Sequence, residues 1–114
     1  EDLVPELMID CELRPDDLQI GLAQAVAGLQ PFGMGNPEPL FLLRGVRVAD
    51  SRVLKGTHLK LILQAGSVRL DAIAFGMGER PLPARIDIAA QLHLNEWHGK
   101  SQLQLRIKDF RESA

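Results

Sequence analysis

Bond cleavage or metal binding in this 114-residue chain would fall to three histidines, one cysteine and fifteen acidic side chains. Their spacing builds no catalytic set. His58, His93 and His98 lack the i,i+4 separation of a helical metal pair, so only tertiary structure would make them converge. Cys11 stands between Asp10 and Glu12, where a thiolate is disfavoured, and reads as a small buried hydrophobe. A single cysteine rules out an internal disulfide and a Cys-based zinc cluster, so a reducing compartment is the default. Asp10 and Asp71 fall on separate predicted strands with nothing to bring them together. The loop Gly33-Met34-Gly35-Asn36 is like a phosphate-cradling turn only on the surface. It lacks a third glycine, a following Lys-Ser/Thr and a strand immediately before it, and reads as a stiff joint.

The chemistry that remains is that of cations. Residues 1–40 carry one base, Arg14, against eight acids, whereas residues 41–111 carry twelve bases against six acids. A basic second part behind an acidic leader points to a polyanion partner, with a solvated β-surface as the plain alternative. The composition, 46% hydrophobic and 25% charged, excludes wholesale disorder, collagen and coiled coil. No apolar run approaches the roughly 20 residues of a membrane span, so no membrane partner is expected and the chain is placed in the cytoplasm. It opens Glu1-Asp2-Leu3 with neither an initiator methionine nor a signal sequence, and reads as a piece of a longer protein.

These residues must be positioned by a mainly β fold. Residues 3–13 alternate at Leu7, Ile9, Cys11 and Leu13, which predicts a strand. Pro15, Asp16 and Asp17 suit a first helical turn, and Leu18, Leu22, Ala25, Val26 and Leu29 recur at helical steps, predicting an amphipathic helix over 16–29. Gln30-Pro31 ends it. Residues 31–39 hold three prolines and two glycines and admit no regular element. Five strands follow: 41–50; 58–64, with Leu59, Leu61 and Leu63 on one face; 68–75; 85–95; and a fifth with Leu103, Leu105 and Ile107 inward. On the fourth, Arg85, Asp87, Ala89, Gln91 and His93 are expected outward. On the fifth, Gln102, Gln104, Arg106 and Lys108 are. The linkers are Ser51–Thr57, Ala65-Gly66, the breaker-rich 76–84 and a turn at 96–100.

Five strands with one apolar face each suit a small sheet rolled into a barrel, which removes exposed edges. The strand lengths favour a five-stranded OB-fold over an SH3-like barrel. Its ligand face would be built from the second and third strands with the loops joining the first to the second and the fourth to the fifth. That mapping places Lys55 in the first loop, His58, Lys60 and Arg69 on the face, and Trp97, His98 and Lys100 in the second loop, with Arg47 nearby. Cations beside an aromatic platform hold single strands without reading sequence. Trp97 has two open roles, base stacking or capping the barrel end, and Phe75 has an inward option. Arg85, Arg106 and Lys108 read as solubilising surface.

Four segments carry a family resemblance: Leu29–Phe41 (LQPFGMGNPEPLF), Gly56–Leu61 (GTHLKL), Asp71–Gly76 (DAIAFG) and Asn95–Gly99 (NEWHG). In this order they closely resemble the C-terminal part of the RecJ single-strand-specific DNA exonucleases, from about Leu7 to Phe110. The resemblance implies a parent that degrades single-stranded DNA 5′ to 3′, with Mg²⁺ or Mn²⁺ held by a DHH catalytic core that an associated domain follows. Neither the DHH motif nor the associated domain's glycine-histidine segment is present here. Catalytic and metal residues are therefore carried over to no position, and no cofactor is expected in this piece.

The expectation is thus a single-stranded-DNA-binding OB module spanning 41–114, a connecting strand and helix over 1–30, and a Pro/Gly-rich joint over 31–40. Arg47, Lys55, His58, Lys60, Arg69, Trp97, His98 and Lys100 would meet the strand. The alternative is a module that docks other proteins or its own catalytic core and associated domain.

Overall fold

A strictly alternating run such as 58–65 can bury only one face, and the structure shows it doing so. The computed structural model describes residues 9–113 except Met34 and Asn36, and for Trp97 the backbone alone. Its elements are β1 (Cys11–Glu12), a 3-10 turn (Pro15–Asp17), α1 (Ile20–Ala27), β2 (Phe41–Leu54), β3 (His58–Ala65), β4 (Val68–Ala74), β5 (Arg85–Trp97) and β6 (Lys100–Glu112). The sheet order is β1-β2-β3-β4-β6-β5, and β2 also pairs with β5. That last pairing closes β2 to β6 into a five-stranded barrel, with β4 and β6 parallel. This is an OB-fold with one extra strand and one helix in front.

Closure depends on β2 serving two partners. Its first half pairs with β5 and its second half with β3. Gly45 marks the bend at φ +66, where the register with β5 slips between Leu43 and Val46. A bulge residue in the left-handed region carries no steric cost only as glycine. Inside the barrel, Leu43, Val46, Leu61, Leu63, Ile86, Ile88 and Leu105 are fully buried. Each such side chain contributes about 1.5–3 kcal/mol.

Several expectations are corrected. The first barrel strand runs on to Leu54 instead of stopping at 50, so its hairpin turn shrinks to residues 55–57. Lys55 and Gly56 both have positive φ there, as His98 and Gly99 do between β5 and β6. Two consecutive positive φ values make the turn whose twist matches a hairpin. On β5, Asp87 and Ala89 are buried rather than outward. Gly45 and Arg111 donate to the Asp87 carboxylate, and Ala89 lies between Leu42 and Asp109. On β6, Gln104 is buried, with its amide donating to Asp71 at 3.1 Å.

The expected helix over 16–29 is two pieces. Gln19 is extended (φ −129) and separates the 3-10 turn from α1. The buried face is Leu18, Ala23 and Val26, whereas Ala25 and Leu29 are exposed. Of the expected strand over 3–13, the described part pairs at Cys11–Glu12, parallel to β2, and residues 3–8, Leu7 included, lie outside the described residues. Cys11 is exposed, because this short edge pairing leaves its side chain on the solvent side.

The leader nonetheless belongs to the barrel's core. Leu13, Leu18, Ala23 and Val26 join the same apolar cluster as the strands, and α1 lies against β5 and β6. Asp10 and Leu40 exchange two hydrogen bonds of 2.8 Å, and Leu13 N–H donates to Leu42 C=O at 2.8 Å. An eight-residue helix would not persist in water alone, so this packing sustains it.

Candidate nucleic-acid interface

Residues paired across strands share a face, so the register sorts the outer surface into rows. Arg47, Gln64 and Arg69 form one row across β2, β3 and β4. Arg52, Lys60, Ile73, Arg106 and Gln91 form another, running from β2 through to β5. Between them lies Asp50–Ile62–Asp71–Gln104. Four expected residues, Arg47, His58, Lys60 and Arg69, therefore occupy one outer face. Lys55 tips the hairpin beside His58, and His98 and Lys100 sit on the β5–β6 hairpin.

An open groove of about 720 Å³ runs between this face and that hairpin, lined by Arg52, Lys60, Ile62, Asp71, Glu96 and Gln102, among others. Its charge is not uniform. Lys60 Nζ lies 2.6 Å from Asp71 Oδ1, so the cation at its centre is matched. Arg47, Arg52 and Arg69 are exposed and form no ion pair among the described residues. Arg52 lines the groove together with Glu96, which likewise forms no ion pair among the described residues, Arg69 lines a recess beside it, and Arg47 lies further along the same face.

His58 plays a different part from a point charge. Its Nδ1 accepts the Gly76 N–H at 3.0 Å. With Nδ1 accepting, Nε2 is the ring's donor atom. It also meets Phe75 edge to face, with centroids 5.2 Å apart at 80°. Phe75 is 54% exposed, which settles its orientation as outward. The Arg106 guanidinium carbon stands 6.0 Å from the same ring centroid.

The side chain of Trp97, the expected stacking residue, lies outside the described residues, although its backbone pairs with Lys100. Arg52 and Phe75 stand on this face outside the expected set: Arg52 falls within the expected linker Ser51–Thr57, and of the two options for Phe75 its parity with Asp71 and Ile73 signals the outward one.

A family model described as RecJ OB domain matches residues 9–109. The chain belongs to the RecJ OB-domain family. The RecJ single-stranded-DNA-specific exonuclease of Bacillus subtilis is 32% identical over 115 residues, covering 96% of this chain and 15% of that protein. The RecJ of Thermus thermophilus is 36% identical over 87 residues, covering 76% and 12%. The crystal structure of Thermus thermophilus RecJ in complex with Mn²⁺ superposes with a TM-score of 0.74 at 31% identity, over 95% of this chain and 16% of that one. This RecJ OB chain thus spans about a sixth or less of these relatives. A second RecJ structure from the same organism is a complex with Mg²⁺. Among the described residues of the present chain no three His, Cys, Asp or Glu side chains come together as a metal site. These residues offer no donor set for such an ion. No helix among them is long and apolar enough to cross a membrane.

Proposed function

We propose that this chain binds single-stranded DNA as the OB module of a RecJ-type enzyme. That enzyme degrades single strands 5′ to 3′ in cytoplasmic DNA repair and recombination. Its Mg²⁺- or Mn²⁺-dependent DHH core and associated domain lie outside these residues. The observation that carries the reading is the groove, with Arg52 in its lining, Arg69 in the recess beside it and Arg47 further along the same outer face. Lys55 and Lys100 extend the cationic track onto the two hairpins. His58 offers a hydrogen-bond donor and His98 an aromatic ring at the far hairpin, and base stacking is assigned to Trp97 from the sequence alone. Lys60 contributes in part, through its shared charge with Asp71.

Binding of this kind is weak, indifferent to most sequence and sensitive to salt. Four neutralised phosphates give a slope of log K against log salt near −3 for a single strand. Fluorescence anisotropy of a labelled oligonucleotide at several salt concentrations measures it, and a flat response at low salt overturns the proposal.

Ile9, Ile20 and Leu29 favour a second reading, since all three are exposed apolar side chains of the leader. They suit docking to the remainder of the enzyme. Reversing the charge of Arg52 and Arg69 separates the two, abolishing strand binding under the first reading and leaving it unchanged under the second.

A further inference from the structure

Next to the groove is a smaller recess of about 160 Å³, lined by Phe75, Met77, Gln91, Arg106, Ile107 and Lys108. Its volume is close to that of a cavity which admits one benzene ring, about 150 Å³. Three features distinguish it from ordinary surface. Phe75 turns more than half of its surface to solvent at the rim. Arg106 is half-buried, its Nε is shielded from water without a hydrogen-bond partner, and it forms no ion pair among the described residues. Gln91 lies directly across from Arg106 in the β5–β6 ladder and brings an amide into the same space.

A desolvated guanidinium donor without an acceptor is costly unless a ligand supplies one. The other half-buried or buried charges of the barrel are already matched: Arg111 with Asp87, Arg80 with Asp109, Lys60 with Asp71. The Arg106 guanidinium carbon stands over the Phe75 ring, 6.0 Å from its centroid, so an aromatic guest against that ring would share the recess with the Arg106 N–H groups.

We infer that this recess is a single-nucleobase pocket that prefers guanine. The inference rests on the DNA-binding reading and adds base discrimination to it. Phe75 supplies the stacking face, and Lys108, exposed at the rim, reaches the adjoining phosphate. Arg106 supplies two parallel donors, which match the adjacent O6 and N7 acceptors of guanine. Adenine offers a donor beside N7 instead. Both purines stack alike, so the difference between them isolates the demand of Arg106.

The test compares thymidine dodecamers carrying one internal dG or one internal dA, binding to the 114-residue chain. The dG strand is expected to bind about tenfold more tightly. Arg106→Lys keeps the charge but loses the planar fork. It should erase the preference while leaving the salt slope unchanged, and Phe75→Leu should weaken both strands together. Equal affinity for the dG and dA strands, with binding otherwise intact, overturns the pocket and leaves the groove reading standing. Loss of affinity for both strands in Arg106→Lys together with a shallower salt slope marks a phosphate contact and also overturns it, as does unchanged binding in Phe75→Leu. Absence of any single-strand binding removes both proposals.

Discussion

Lys60 and Asp71 face one another across the β3–β4 pair at 2.6 Å, and Asp71 also accepts the Gln104 amide. The most central cation of the groove is therefore held in place by an acid of the same surface. Asp71→Asn keeps an oxygen for Gln104 but releases the Lys60 charge. It is expected to tighten single-strand binding and to steepen the salt slope by about 0.7, the value of one further neutralised phosphate. Arg52→Gln should shift the slope by the same amount in the opposite direction. A salt titration of the three proteins decides it.

Asp87 is buried, and burial by itself raises its pKa. The Gly45 N–H, the Ser113 side chain and Arg111 together outweigh that and hold the carboxyl below its ordinary value of 3.8. A carboxylate with a lowered folded pKa contributes its full stability above the unfolded value and loses it as pH falls through the folded one. Stability should therefore drop below about pH 4. Asp87→Asn is expected to cost about 2 kcal/mol at neutral pH and to flatten that acid limb. Urea unfolding between pH 2.5 and 7 measures both, and a parallel acid limb in the variant would refute the assignment.

Gly78 donates its N–H to Thr57 C=O at 2.9 Å. A Cβ there would come within 3.0 Å of Thr57 backbone atoms and of Val53 Cγ1. Gly78→Ala should push the 76–84 loop off the Lys55 hairpin at a cost of about 1–3 kcal/mol, as overpacking does elsewhere. Amide exchange at residues 55–57 would report the loosening.

Arg80 pins that same loop to β6. Its Nη1 donates to Asp109 at 2.7 Å, its Nη2 to the Phe110 carbonyl at 2.7 Å, and the guanidinium lies 4.2 Å from the Phe110 ring centroid. Asp109 is almost fully covered, whereas Arg80 is partly open to solvent, so screening trims the gain. Arg80→Met should lower stability by about 2 kcal/mol, with Arg80→Lys recovering part of it. Thermal unfolding at low and moderate salt is the check.

The alternation of β3 and β4 was legible because each buries one face: Leu59, Leu61 and Leu63 inside, Lys60 and Ile62 outside. β5 was misread because periodicity cannot reveal a strand covered on both sides. Asp87 disappears beneath partners 42 and 24 residues away. The break at Gln19 was hidden for a similar reason, since Leu18 and Val26 fit one helical stripe whether or not the backbone between them is continuous. The cationic face could be mapped from strand parity alone. Which of its charges were matched could not, because the Lys60–Asp71 pair arises only from the β3–β4 register.

The two bonds between Asp10 and Leu40, together with Leu13, Leu18 and Val26 seated among the strands, have a mechanical consequence. A pull or twist applied at Ile9 is transmitted straight to the barrel wall rather than absorbed by slack chain. From Ile9 onward leader and barrel therefore move as one piece, and the outer face of β2 to β4 turns with the chain at Ile9.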